Sequence, residues 1–193
     1  MNQTRFRRFG LASLVALPLG ATLVGCNATP PKEEDRAGLL SESADLRNEF
    51  EAAVPGLNNQ IAQAPAYVVF PDIGQAGFII GGQGGRGAVY TGDGRHVGWA
   101  TLNTANIGLQ AGVQNYSMLM VFKDQATLDK FRNNELTGNA NSVAVIGDQG
   151  GSQLDKFDNG VASYHKTRGG LMAGLQLGLD SIKYSPEFPG DPR

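Results

Sequence analysis

The sequence predicts an α+β domain: a curved, mostly antiparallel, glycine-rich sheet of barrel-like form, packed with an N-terminal helix and one or two further helices. Three observations carry this. Leu39, Leu46, Phe50, Ala53 and Leu57 recur at helical spacing. From Ala66 the texture changes to short β-type runs such as Tyr67-Val68-Val69-Phe70, punctuated by glycine. Glycines four apart then recur in Gly77/Gly81, Gly108/Gly112 and Gly174/Gly178, each pair sharing one face of an extended chain. Glycine weakens a strand unless it permits a bend or a close approach, so these pairs predict strong curvature with something packed on the glycine face. A membrane-spanning barrel fits poorly, because clear aromatic girdles are missing.

In chain order, the first segment holds Arg5, Arg7 and Arg8 with no acid, then an apolar stretch from Phe9 to Val24 that is too short and wrongly flanked for a spanning helix. It ends in Leu23-Val24-Gly25-Cys26, which resembles a bacterial lipobox, and Cys26 is the only cysteine. Residues 1–25 are therefore expected to be a lipoprotein signal, with Cys26 acylated as the new first residue. Asn27 in place of aspartate after the cysteine leans toward the outer membrane. Residues 26–36 lack apolar periodicity and contain Pro30-Pro31, which predicts an acidic tether. Residues 37–193 form the domain.

Within the domain, the helix over the Leu39–Leu57 stripe has Ser41 and Ser43 as candidate caps and is interrupted at Pro55-Gly56. Strands are expected at Ala66–Phe70 (closed by Pro71-Asp72), Gln75–Gly82, Arg86–Thr91 and Arg95–Leu102, the last two joined by a Gly92-Asp93-Gly94 turn. A hairpin over Asn106–Gln114 and Tyr116–Lys123 follows. Asp124–Asn133 reads as a helix, Ser142–Ile146 as a strand, and Gly147–Gly160 as a polar loop. Val161–Lys166 and Leu171–Lys183 read as the final strands.

Charge excludes one broad class of partner. Without residues 1–25, three of the 16 basic residues go, leaving 13 against 18 acidic residues and a net charge near −5. No global positive field exists to hold nucleic acid, so any anion site is local. With Cys26 alone, neither a disulfide nor a thiolate metal site forms. His96 and His165 have no ligand-spaced partners, which predicts no metal; no motif calls for a cofactor. Cysteine nucleophile, G-x-S-x-G elbow and clustered acid pair beside histidine are all missing, so a non-catalytic protein is expected.

Gly82-Gln83-Gly84-Gly85-Arg86-Gly87 matches G-x-G-x-x-G, but the following Ala88-Val89-Tyr90-Thr91 is β-type, whereas a dinucleotide site needs a helix there. A tight β connection is the reading kept. Arg86 within it either cradles a phosphate with the surrounding backbone N–H groups or pairs with Asp72 or Asp93. Lys166 and Arg168 either complete an anion patch with Arg86, if their strands meet, or blunt a solvated edge strand. Trp99, the only tryptophan, is expected in the core.

An ordered set of motifs carries a family resemblance. Val69-Phe70-Pro71, Ala76-Gly77-Phe78, Gly81-Gly82, Gly85-Arg86-Gly87, Gly98-Trp99, Gly108 to Gln114, Leu136-Thr137-Gly138, Tyr164-His165-Lys166 and Gly169 to Gly174 resemble the SYLF domain over roughly Leu39 to Tyr184. Eukaryotic members of that family bind phosphoinositide membranes and some fungal ones bind actin. Bacterial members are commonly exported lipoproteins. The basic amphipathic N-terminal segment of the membrane-binding members is replaced here by an acidic helix. The expectation is a lipid-anchored protein on the periplasmic side of a bacterial envelope, contacting anionic phospholipid headgroups through Arg86, Lys166 and Arg168. The alternative is an envelope scaffold docking a protein partner by a sheet edge or the glycine face.

Overall fold

The computed structural model describes residues 29–30, 32–77, 80–107, 112–146, 154, 156–167 and 176–187. Cys26, Arg168, Gly108 and Gly174 lie outside them. Helix α1 (Glu33–Ala53) starts well before Leu39 and takes in the end of the stretch expected as tether. Neither Ser41 nor Ser43 caps it. Glu33, Glu34 and Asp35 occupy its first turn, where the positive end of the helix dipole favours them. Gly56, at φ 89°, turns the chain into α2 (Leu57–Gln63), and Val54 is buried where Ala53 was expected.

Four long strands follow: β1 (Ala66–Gly77), β2 (Ile80–Thr91), β3 (His96–Ile107) and β4 (Gly112–Phe122). They run straight through the glycines that had seemed to mark breaks. Pro71-Asp72 does not close β1 either. The register with both neighbours shifts there, so the proline sits in a bulge where its missing N–H leaves no ladder bond unmade. Helix α3 (Gln125–Arg132) begins at Asp124, whose carboxylate accepts the Thr127 N–H at 2.8 Å. Then come β5 (Asn139–Ile146), β6 (Val161–Thr167), β7 (Gln176–Gly178), a 3-10 turn (Leu179–Ser181) and β8 (Ile182–Pro186).

These strands form one sheet in the order β7-β5-β6-β4-β1-β2-β3-β8, antiparallel except for the β5–β6 pair. The two edge strands, β7 and β8, are consecutive in the chain and joined only by the 3-10 turn. Four residues reach at most about 14 Å, so the sheet curls until its edges nearly meet. Among the described residues no ladder joins them, and the sheet is not closed into a barrel.

Period-two alternation sorts the strands into two faces. Val68, Phe70, Val89, Leu102, Met118 and Phe122 point into the curl with Leu128 and Phe131 of α3. Tyr67, Val69, Leu119, Val121 and Tyr164 point outward and are covered by Leu46, Phe50, Leu57 and Ile61 of α1 and α2. Full burial of such a side chain contributes roughly 1.5–3 kcal/mol, so the acidic helix is held on the sheet by its apolar stripe.

Candidate functional site

The outer face is the surface that α1 only partly covers. Trp99 is fully buried there against Ala88, with Leu39 and Leu40 of α1 above it. Its neighbours form an aromatic run: Tyr67 stacks on Tyr90 at 5.2 Å, Tyr90 meets His96 at 5.5 Å, and His96 meets Trp99 at 4.4 Å. Burial pushes the Tyr90 hydroxyl up to about 12 and the His96 imidazole below its usual range, although Nδ1 of His96 lies 3.1 Å from Glu187 Oε2. This run fixes where α1 lies.

Beyond it, α1 and the sheet leave a groove of about 440 Å³ between Leu39 and Glu42 on the helix and Asp72, Arg86, Thr101 and Asn103 on the strands. That volume lies within the usual range for a small-ligand site. Arg86 is exposed at its floor, on the same row as Asp72 of β1 and Thr101 of β3. The glycines around it lie inside β2 and do not form the tight connection expected. Their role is close approach. A Cβ on Gly85 would stand 2.8 Å from the Asp72 carbonyl oxygen, and one on Gly87 2.7 Å from that of Val69. The segment after them is strand, which removes the helix a pyrophosphate would need.

Neither carboxylate considered as a partner for Arg86 is paired with it. Asp93 is held in the β2–β3 turn, where the hydrogen bond from the Thr91 hydroxyl, then that from Arg95 at 2.9 Å, bring its carboxyl down to about 2. Asp72 accepts the Asn115 amide at 3.1 and 3.4 Å. No ion pair joins Arg86 to a described residue.

Lys166 lies on the same outer face, paired in register with Ser117 of β4. It does not meet Arg86, because β4 and β1 stand between β6 and β2, a separation of roughly 14 Å. Its ammonium pairs with Glu49 of α1. Arg168 follows it in sequence, outside the described residues.

One residue escaped sequence reasoning. Thr101 pairs in register with Arg86 on one side and Lys183 of β8 on the other, so the row runs Asp72, Arg86, Thr101, Lys183. Lys183 is exposed, while its neighbours Ile182 and Tyr184 are buried in the inner core. Nothing local marks it. Only the β3–β8 pairing brings a lysine from the far end of the domain onto the row of Arg86, one strand beyond the groove lining.

A search of curated proteins finds no match. Residues 103–186, from within β3 to the end of β8, match the family described as Ysc84, Las17-binding protein actin regulator. Lys166 and Lys183 lie inside that stretch and Arg86 before it. Over residues 103–186 the chain is thus similar to the SYLF (Ysc84) domain family, the family that its motifs resemble.

Proposed function

We propose that this is a non-catalytic, lipid-anchored envelope protein whose SYLF domain binds the phosphate of anionic lipid headgroups. The observation that carries this reading is Arg86, an exposed guanidinium at the floor of a ligand-sized groove, ion-paired with neither Asp72 nor Asp93. A guanidinium presents a fixed fork of N–H donors that matches phosphate oxygens. Lys166 adds charge further along the same face, and Arg168 follows it in the sequence. An exposed pair such as Lys166–Glu49 contributes at most about 1 kcal/mol, so Lys166 exchanges its partner at little cost.

Chain geometry supports attachment at two points. If Cys26 is acylated, six residues link it to the start of α1, and Leu39 of the groove lies nearly two turns further on. At full extension that places the groove within roughly 35 Å of the anchor. A headgroup in the same leaflet is then met at raised effective concentration, and each contact strengthens the other. The family description names Las17 binding and actin regulation; for a chain exported to an envelope, only the binding character of the domain is carried over.

The test is co-sedimentation of the chain from Asn27 onward with neutral choline-headgroup vesicles and with anionic vesicles across a range of salt. Binding to anionic vesicles alone, weakened by salt and by Arg86→Ala, is the expected result. Absence of binding at low salt sinks the lipid reading and leaves a scaffold that docks a protein partner. The β8 edge argues against strand addition as the docking mode, because Asn134 Oδ1 already accepts the Tyr184 N–H at 2.7 Å and Pro186 offers no donor.

A further inference from the structure

The groove carries charges of both signs in a fixed order, and this rests on, and sharpens, the reading that Arg86 takes a phosphate. Asp72 and Arg86 are register partners on adjacent strands, both exposed and opposite in charge, yet no ion pair joins them. Asp72 is turned to Asn115 instead and keeps lone pairs unused. Glu42, also exposed, faces the same groove from α1 and is likewise without an ion pair to any described residue. On the other side of Arg86 come the Thr101 hydroxyl and then Lys183, whose backbone lies roughly 10 Å from that of Arg86 across β3. A lysine and an arginine at that separation both reach a group seated over the threonine between them.

A bare phosphate in this groove meets Arg86, with Lys183 within reach across Thr101, but also two carboxylates. A bare amine meets the reverse. A ligand with a phosphate at one end and an ammonium at the other satisfies both walls. We infer that the groove takes the phosphate ester of a primary amine, an ethanolamine-type headgroup, with the phosphate over Arg86, Thr101 and Lys183 and the ammonium against Asp72 and Glu42. A primary ammonium donates charge-assisted hydrogen bonds to those carboxylates. The quaternary ammonium of choline has no N–H and cannot, which makes choline the discriminating comparison.

The experiment uses the chain from Asn27 onward, which contains every described element of the sheet and both cores. Phosphoethanolamine, phosphocholine and inorganic phosphate are titrated against isotope-labelled protein by NMR. Phosphoethanolamine is expected to bind roughly tenfold more tightly than phosphocholine, the factor one charge-assisted hydrogen bond supplies. Asp72→Asn with Glu42→Gln is expected to erase that gap while phosphate binding persists; Lys183→Ala is expected to weaken both compounds together. Equal affinities in the wild type, both lost in Arg86→Ala, leave the phosphate reading standing and overturn this one. Failure of all three compounds to bind overturns both. A second arm identifies the source. At fixed anionic lipid content, vesicles with ethanolamine headgroups in place of choline should sediment more protein; a preference for free phosphoethanolamine without that vesicle effect assigns the groove to a soluble amine phosphate.

Discussion

Glycine is where residue-level chemistry and sheet shape meet in this protein. Gly85 and Gly87 leave no room for a Cβ because the neighbouring β1 backbone lies against them, just where the Pro71-Asp72 bulge bends that strand. Gly74 sits in the same pair of strands, but a Cβ there would lie 3.9 Å from the Gly84 oxygen, an ordinary contact. Gly87→Ala is therefore expected to lower the free energy of unfolding by about 1–3 kcal/mol, as overpacking does, while Gly74→Ala shifts it by no more than about 0.5 kcal/mol. Urea denaturation of the two variants measures the contrast; equal effects mean the glycines are not there for close approach. At the same scale, Arg86→Ala removes an exposed side chain with no ion-pair partner among the described residues, so its urea midpoint should stay at the wild-type value even as vesicle binding falls. Coincident loss of stability would make Arg86 structural.

At the scale of elements, α1 joins the sheet to the groove. Phe50 is fully buried between α1 and the outer face, while Leu39 and Leu40, at the other end of the helix, lie over Trp99. Phe50→Ala is expected to lose about 3–5 kcal/mol. If α1 and the sheet unfold as one unit, Trp99 fluorescence and far-UV circular dichroism should give the same midpoint; an earlier fluorescence change would show the helix peeling away first. The α1 stripe was legible because a period near 3.6 survives in Leu39, Leu46 and Phe50 whatever they pack against. The turn at Gly92-Asp93-Gly94 and the helix start at Asp124 were legible for a similar reason, since each is satisfied by atoms within a few residues. The lengths of β1 to β4 were not. In-strand glycines and Pro71 read as breaks until the partner strand that accommodates them is known. Lys183 was hidden more deeply, because its relation to Arg86 exists only through the pairing of β3 with β8.

For the whole molecule, curling the sheet into a nearly closed wall creates an interior that must stay dry, and His165 is its most exposed liability to acid. The imidazole is fully buried on the inner side of β6, with the Tyr116 ring 5.6 Å away, and burial brings its pKa down to about 4. The native protein therefore keeps His165 neutral between its unfolded value near 6.5 and about 4, while the unfolded chain takes up the proton. The state that binds more protons gains as pH falls, so stability is full above about 6.5 and declines progressively toward 4, by roughly 3 kcal/mol if the whole shift is expressed. His96, also lowered by burial, adds a smaller loss in the same window. The depressed carboxyl of Asp93 acts elsewhere: it titrates between its ordinary value and about 2, so its contribution disappears only below this range. Urea midpoints should hold between pH 7.5 and about 6.5 and then fall toward pH 4.5 for the wild type, and much less steeply for His165→Asn, which is less stable at neutral pH but has no imidazole at that position to protonate. Parallel slopes for the two proteins would place the acid sensitivity in His96 beside Trp99, and make the outer face, rather than the interior of the curl, the first part of the molecule to yield to acid.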